Sequence, residues 1–195
     1  MNRTPLALCL SLLAACAAPR TLDGVVRGPV PVDAAAGREL EPNWKERLPQ
    51  PYVYLEHHGD YRRMGDTMRA LFAAAESLEL EPAGAPFALF FDDPGRVPAT
   101  DLRARACLPV AERPSKVGGL AYDVLPRAMV VYGRVSGAYP EVARTYPKLF
   151  RYLRDLGWAQ GGPIREVYLV NPVEAASFDE LLTEVQIPWT AGASR

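Results

Sequence analysis

The chain has few of the residue types that metal sites and nucleic-acid interfaces require. It contains two histidines, three cysteines and no basic run longer than two residues among 195, and its net charge is −1. A structural zinc site needs about four His or Cys ligands at defined spacing. The adjacent His57 and His58 would point to opposite faces of a strand. The sequence therefore predicts no metal and no cofactor, and it predicts no nucleic-acid partner.

Familiar catalytic motifs are also missing. The sequence has no Ser-His-Asp order and no phosphate-cradling glycine loop, which disfavours the common hydrolase and nucleotide-binding classes. We interpret Gly118-Gly119 and Gly161-Gly162 as turns, and Asp92-Asp93 as a turn-capping pair. The hydrophobic content of 49% and charged content of 23% are ordinary for a globular protein with a sizeable core.

The N-terminal residues are typical of an export signal. Arg3 supplies a positive charge, residues 6–15 form an apolar run, and Leu13-Ala14-Ala15-Cys16 closes it. About ten apolar residues are too few to span a bilayer. The closing tetrapeptide resembles the lipobox of bacterial lipoproteins, which implies cleavage before Cys16 and lipidation of its thiol. The alternatives are an ordinary signal peptide or an apolar helix with an incidental cysteine.

This resemblance implies a location and a domain organisation. It places the protein in the bacterial cell envelope, and Ala17 in place of Asp favours the outer membrane, facing the periplasm. Residues 1–15 are then a signal peptide, and residues 16–50 comprise the lipidated cysteine and a flexible tether rich in Pro, Gly and Ala. The lipid at Cys16 would give stable membrane anchoring. Cys107 would be the one free thiol, so no intramolecular disulfide is predicted.

The most informative pattern is an internal repeat at an offset of 78 residues. Residues 53–94 share ten identities with residues 131–172, where unrelated sequences would share about three. Gly59 and Tyr61, for example, recur as Gly137 and Tyr139. A long repeat present twice indicates a duplicated supersecondary module rather than an array. Two such modules commonly share one core, and the seam between them is a natural place for a pocket.

Hydrophobic periodicity predicts the order strand, helix, strand, strand in both copies. In module 51–112 the predicted strands are 52–57, 87–91 and 102–108 and the helix is 62–79; in module 120–190 they are 128–136, 164–170 and 181–187, with the helix at 140–156. The apolar helix stripes also coincide at the same offset: Met64, Met68, Leu71, Phe72, Ala75 and Leu78 match Val142, Tyr146, Leu149, Phe150, Leu153 and Leu156.

Several short motifs, taken in order, resemble the GyrI-like effector-binding domains. They are His57-His58-Gly59-Asp60-Tyr61, Phe90-Phe91-Asp92-Asp93-Pro94, Val97-Pro98, Leu102-Arg103, Cys107-Leu108-Pro109-Val110, Tyr168-Leu169-Val170-Asn171-Pro172, and residues 182–188. The resemblance implies one domain over residues 51–190 with an α+β fold. Two βαββ modules related by a pseudo-twofold axis would form antiparallel sheets, with a helix packed on one face of each and a cleft on the other.

The same resemblance implies a functional class. The family includes ligand-binding halves of transcription regulators, a gyrase inhibitor and some hydrolases. No helix-turn-helix segment precedes the domain in this sequence, and the export signal implies a place outside the cytoplasm. We therefore expect neither transcriptional regulation nor gyrase inhibition.

The resemblance also implies a ligand-binding residue, Glu184. It matches the glutamate that in several relatives meets cationic ligands or serves catalysis. Strand alternation places Leu182, Glu184 and Gln186 on one face, and a carboxylate in a partly apolar cleft is costly without a cation. Aromatic walls add about 0.5–2 kcal/mol each to cation binding. The candidate walls are Tyr54, Tyr132, Tyr168 and Trp158.

Arg105 completes the candidate site, because an offset of 79 makes it the counterpart of Glu184. The alternatives for Glu184 are a solvated side chain or a salt bridge, for which Arg105 is the candidate partner. The leading hypothesis is an envelope-anchored lipoprotein that binds a small apolar or cationic molecule between its modules. The other two are a small-molecule hydrolase with Glu184 as general base, and a protein-interaction module without a small ligand.

Overall fold

The computed structural model describes residues 42–170, 177 and 180–192. The predicted signal peptide, Cys16 and most of the predicted tether lie outside these residues. The strands are β1 Asn43–Arg47, β2 Gln50–His58, β3 Phe87–Phe90, β4 Arg103–Pro109, β5 Ala121–Leu125, β6 Ala128–Ser136, β7 Trp158–Gln160, β8 Ile164–Tyr168 and β9 Leu182–Ala191. The helices are α1 Met64–Ser77, α2 Tyr139–Val142 and α3 Tyr146–Asp155. Within the described residues, no helix has the length and apolarity to cross a membrane.

All strands pair antiparallel in one curled sheet, which confirms the predicted α+β fold class. Eight strands follow the order β1-β6-β9-β8-β3-β4-β2-β5, and β7 pairs with the end of β9. The halves join edge to edge through β3 and β8, where Phe87 pairs with Val167. The helices cover one face of this sheet. The opposite, inner face of the half-barrel is where the sequence predicts the cleft.

The two edge strands are exchanged between the halves. β1 precedes β2 but pairs with β6, whereas β5 precedes β6 but pairs with β2. The pairings are equivalent at the offset of 78: Lys45 pairs with Val130, and its counterpart Asp123 pairs with Tyr52. The repeat therefore extends beyond the residues that show sequence identity. The pseudo-twofold axis itself stays a prediction.

Two short crossovers bring the sheet edges together at one end. Only two residues separate β1, on one edge, from β2, beside the other edge. Residues 126 and 127 connect β5 to β6 in the same way. Arg47 Nη2 donates to the Pro126 carbonyl at 2.9 Å, and Arg127 Nη1 donates to Glu46 Oε1 at 2.8 Å. The crossovers thus meet across one end of the inner face.

The helix-side core matches the predicted stripes in part. Met64, Met68, Leu71 and Ala75 of the first stripe and Val142, Leu149 and Leu153 of the second are buried. Phe150 and Leu156 are 39% and 46% exposed, so the prediction was wrong for these two. The single helix predicted for residues 140–156 is also wrong, because α2 and α3 are separate. Pro147 lies in the first turn of α3 and has no N–H to bond the preceding turn.

Three strands were not predicted. β1 lies within residues 16–50, which were predicted to be a tether, so the ordered domain starts earlier than residue 51. Its sequence Asn-Trp-Lys-Glu-Arg has no apolar alternation because its inward positions are Lys45 and Arg47. β5 and β7 are short, with five and three residues. Period-two analysis finds a strand only where one face is apolar.

Candidate ligand-binding site

The inner face has an apolar centre surrounded by charged side chains. Strand register brings Tyr52, Phe87, Leu89, Cys107, Leu125 and Val167 together in one buried cluster. Tyr52 and Phe87 meet edge to face, with ring centroids 5.4 Å apart. Tyr54 lies at the margin of this cluster, 5.5 Å from Tyr52 between centroids. The centre therefore offers aromatic and aliphatic surface of the kind that binds small organic molecules.

Glu184 lies on the inner face as predicted, but the protein itself occupies both of its oxygens. Lys45 Nζ lies 2.5 Å and Gln186 Nε2 2.7 Å from Oε1, and Arg134 Nε lies 2.9 Å from Oε2. Glu184 is 3% exposed. Burial alone would raise the pKa of its carboxyl, but Lys45, Gln186 and Arg134 together hold that pKa below its ordinary value. The carboxylate is neutralised within the protein.

Arg105 lies at the matching position of the other half. Its Nε is 3.0 Å from Glu56 Oε1, and its Nη1 is 3.0 Å from both Asp123 Oδ2 and the Tyr52 hydroxyl. Its guanidinium carbon lies 4.0 Å from the centroid of the Tyr54 ring. Desolvation acts to lower the pKa of Arg105, yet Tyr52, Glu56 and Tyr54 raise it overall. Arg105 is thus fixed by four neighbours.

The two clusters are charge-reversed copies of each other. Glu56 pairs with Arg105 in one half, and Arg134 pairs with Glu184 in the other. The third members, Asp123 on β5 and Lys45 on β1, occupy equivalent strand positions and are also opposite in charge. Each cluster therefore pairs its charges internally, and Arg105 and Glu184 do not form the salt bridge considered above.

Tyr132 repeats the position of Tyr54 and carries a cation in the same way. Lys45 Nζ lies 4.1 Å from the centroid of its ring. Two of the three tyrosines predicted as cation-binding walls, Tyr54 and Tyr132, are thus on the inner face. Each already has a cation of the protein over its ring.

Arg165, which the sequence reasoning missed, lies at the bottom of the inner face. Strand alternation in β8 turns Arg165 and Val167 inward, opposite Gln186 and Glu184. Arg165 is 0% exposed, and its guanidinium carbon is 4.0 Å from the Phe87 ring centroid. Its Nη1 donates to Gln186 Oε1 at 3.4 Å. The signal that could have identified it was a pair of adjacent charged residues, Arg165 and Glu166, inside a predicted strand.

Arg47 is a second buried arginine of the inner face that the sequence reasoning missed. It is 2% exposed. Desolvation, followed by repulsion from Arg165, lowers the pKa of Arg47 to about 10. Among the described residues, neither its Nε nor its Nη1 has a hydrogen-bond partner, and the buried Oε1 of Gln50 has none either. Buried polar atoms without partners are uncommon in folded proteins.

Two predicted wall residues lie on the helix side instead. Tyr168 belongs to the core under α1, and its hydroxyl donates to Glu166 Oε2 at 3.4 Å. Trp158 stacks on Trp189 with centroids 3.7 Å apart and packs against the core under α3. The prediction was wrong for both, because Tyr168 has the opposite strand phase to Arg165 and Trp158 lies on β7, next to the last residues of β9.

Other features of the described residues do not add to this site. No group of three or more His, Cys, Asp or Glu side chains within them is placed to hold a metal ion. A surface cavity of about 730 Å³ lies at the turn between β2 and α1, lined by residues that include His57, Asp60 and Thr67. Its lining contains none of Arg47, Arg165 or Glu184.

Comparison with known proteins now identifies the family. Residues 40–189 match the sequence model of the GyrI-like small molecule binding domain. The chain belongs to the GyrI-like family. The match includes β1, in agreement with its place in the sheet. No curated protein matches the chain in sequence.

Solved structures with the same fold include the C-terminal domain of EcmrR, with a TM-score of 0.68, 18% identity, and coverage of 76% of this chain and 96% of that domain. In an EcmrR–DNA complex the match covers 57% of the EcmrR chain. The structure of SAV2435 bound to tetraphenylphosphonium has a TM-score of 0.57 and 11% sequence identity, and the match covers 77% of this chain and 94% of that chain. A hydrolase from Listeria innocua has a TM-score of 0.55 and 13% sequence identity, and the match covers 77% of this chain and 92% of that chain. At sequence identities this low, the similarity shows a shared fold only.

Proposed function

We propose that this GyrI-like protein binds a small molecule on the inner face of its half-barrel and is held in the bacterial cell envelope by a lipid on Cys16. The observation that carries the binding proposal is the inner face itself. Aromatic and aliphatic side chains form its centre, and Arg47 and Gln50 bring buried polar atoms without partners to it. A bound molecule would contact the apolar surface and satisfy those atoms.

Binding is testable with Nile red, a neutral apolar dye whose fluorescence rises in apolar surroundings. The full chain carrying Cys16→Ser serves as the parent protein. Leu89→Trp places a large side chain in the centre of the inner face, and Phe150→Trp makes a similar change at an exposed position of α3. We expect Leu89→Trp to weaken binding at least about tenfold and Phe150→Trp to leave it unchanged. Equal binding by the two variants would exclude the inner face.

The lipid anchor is supported by the tetrapeptide Leu13-Ala14-Ala15-Cys16 and the apolar run before it. Fractionation of bacterial cells tests it. Cys16→Ser should move the protein from the membrane to the soluble fraction, whereas Cys9→Ser, a thiol within the predicted signal peptide, should leave it in the membrane. Density-gradient separation should place the wild-type protein in the outer membrane, as Ala17 favours. Retention of Cys16→Ser in the membrane would refute the anchor.

Hydrolysis with Glu184 as general base receives no support from its geometry. A general base needs a pKa near the working pH and an accessible oxygen, but the pKa of Glu184 is lowered and both oxygens accept bonds. The carboxyl with a raised pKa is Glu166, mainly because it is desolvated. It lies on the helix side, where the Tyr146 hydroxyl donates to it.

A protein-interaction module remains a second candidate, because the inner face is closely filled by its own side chains. Tyr52, Phe87, Leu89 and Cys107 are each no more than 1% exposed. A small molecule must therefore displace side chains to reach the centre, whereas a protein partner could use the outer surface. Wild-type protein that binds neither Nile red nor any charged aromatic probe would favour this candidate.

A further inference from the structure

We propose that the inner face selects an organic anion, a molecule with an apolar body and a carboxylate or similar group that Arg47 binds. This inference rests on the proposed small-molecule binding and names the class of ligand. It gives the ligand the opposite charge to the tetraphenylphosphonium that SAV2435 binds.

Each carboxylate of the inner-face clusters already has a cationic partner, since Glu56 and Asp123 each lie 3.0 Å from Arg105. Glu184 is the buried acid of this face, and it already lies within 2.9 Å of Lys45 and Arg134. A cationic ligand would have to displace one of these two and leave it buried without a partner. The rings of Tyr54 and Tyr132 are also covered, by Arg105 and Lys45. A cation therefore loses both of its usual sources of affinity.

The buried guanidinium of Arg47 needs a hydrogen-bond acceptor. Its Nη2 donates to the Pro126 carbonyl, but neither Nε nor Nη1 has a partner among the described residues. The guanidinium is nearly fully buried and is repelled by Arg165. An anionic group would accept from the unpartnered donors and offset the repulsion between the two arginines. Gln50 Oε1, also buried without a partner, could accept from a hydroxyl or amide of the same ligand.

Cationic and apolar side chains lie next to each other around Arg47. Arg47 lies within electrostatic range of the Arg165 guanidinium and of the Tyr52 hydroxyl. Arg165 in turn lies over the Phe87 ring, which meets Tyr52 edge to face. A ligand with its anionic group at Arg47 would thus place an attached ring against Tyr52 and Phe87. The matching molecule is an amphipathic acid, not a free inorganic anion.

Three naphthalene compounds of similar size test the charge preference: 2-naphthoate, 2-naphthamide and 2-naphthylmethylammonium. Isothermal titration uses the full chain with Cys16→Ser. We expect 2-naphthoate to bind at least about tenfold more tightly than either of the others. Arg47→Met should remove that advantage. Arg127→Met should retain it, because Arg127 lies on the other crossover with its side chain 62% exposed. Circular dichroism verifies folding, and Arg47→Gln replaces Arg47→Met if the latter does not fold.

The results of these titrations distinguish the anion preference from small-molecule binding on the inner face. If the ammonium compound binds as tightly as 2-naphthoate and Leu89→Trp abolishes both, the inner face is a ligand site but the anion inference is wrong. If Nile red binds and no naphthalene compound does, the inference is again wrong. If neither Nile red nor any naphthalene compound binds, both proposals fail. Undiminished binding of 2-naphthoate to Arg47→Met would exclude Arg47 as the anion-binding residue.

Discussion

Replacing Arg47 with Met should stabilise the ligand-free protein, although it removes a buried side chain. Folding lowers the pKa of Arg47 from its ordinary value to about 10, and each pKa unit corresponds to about 1.4 kcal/mol. Burying the charged form therefore costs about 3 kcal/mol at neutral pH. Because the pKa is lower in the folded state, this cost is fully present below about pH 10 and diminishes above it. Methionine fills a similar volume without charge.

The lost hydrogen bond opposes this gain. Arg47 Nη2 donates to the Pro126 carbonyl at 2.9 Å, and a bond from a charged donor contributes about 1.5–3 kcal/mol. The difference leaves a net stabilisation on the order of 1 kcal/mol, or a rise in Tm of about 2–4 °C for a domain of this size. Urea denaturation at pH 7, followed by tryptophan fluorescence, measures the change in free energy of unfolding.

Lys45→Met provides a matched comparison on the same strand. Lys45 also points to the inner face, but its ammonium is paired with Glu184 at 2.5 Å. Its removal leaves a buried carboxylate with one cation fewer, which should cost about 3 kcal/mol. Arg127→Met should change stability by less than about 0.5 kcal/mol. A loss of more than about 2 kcal/mol in Arg47→Met would show that Arg47 is satisfied in the free protein and would refute this reasoning.

Two further predictions concern buried titratable groups. Lys45 and Arg134 lower the pKa of Glu184 in the folded protein. The charged carboxylate therefore stabilises the fold at pH values above the pKa of the unfolded chain, and this stabilisation is lost as the pH falls through the lower pKa of the folded protein. Glu184→Gln should therefore be less stable than wild type at pH 7, and the gap should narrow as the pH drops from about 5 towards 3; a constant gap in urea titrations would contradict this. The pKa of Cys107 is raised because the thiol is buried, so in Cys9→Ser/Cys16→Ser protein it should not react with Ellman's reagent at pH 8 until urea unfolds the chain. Rapid labelling of the folded protein would contradict its burial.

The sequence predicted the elements that have an apolar face. α1 and the strands β2, β3, β4, β6, β8 and β9 were all expected, because their core positions follow a period of 3.6 or 2. It did not predict β1, whose inward residues are charged, or the break before α3. A strand whose inward side chains are Lys45 and Arg47 has no hydrophobic period to detect. Its partner residues lie far away in the chain.

The candidate site was predicted less completely than the fold. Alternation and family resemblance placed Glu184, Tyr54 and Tyr132 on the inner face, where the structure has them. The same reasoning could not show which strand carries the opposing charge. Trp158 and Tyr168 were assigned to the wrong side of the sheet. Tyr168 has the same strand phase as Glu166 and packs under α1, and Trp158 lies on β7, a strand that the sequence did not predict.

The sequence by itself determined that the fold is α+β, and its repeat at an offset of 78 residues predicted two modules in which Arg105 and Glu184 are counterparts. Only the tertiary structure decided which charges those residues meet. Exchange of β1 and β5 between the halves brings Lys45 to Glu184 and Asp123 to Arg105 across 139 and 18 residues of sequence. The crossovers that make this exchange also carry Arg47 into the inner face. Such pairings depend on how the sheet closes, since local periodicity describes each strand alone.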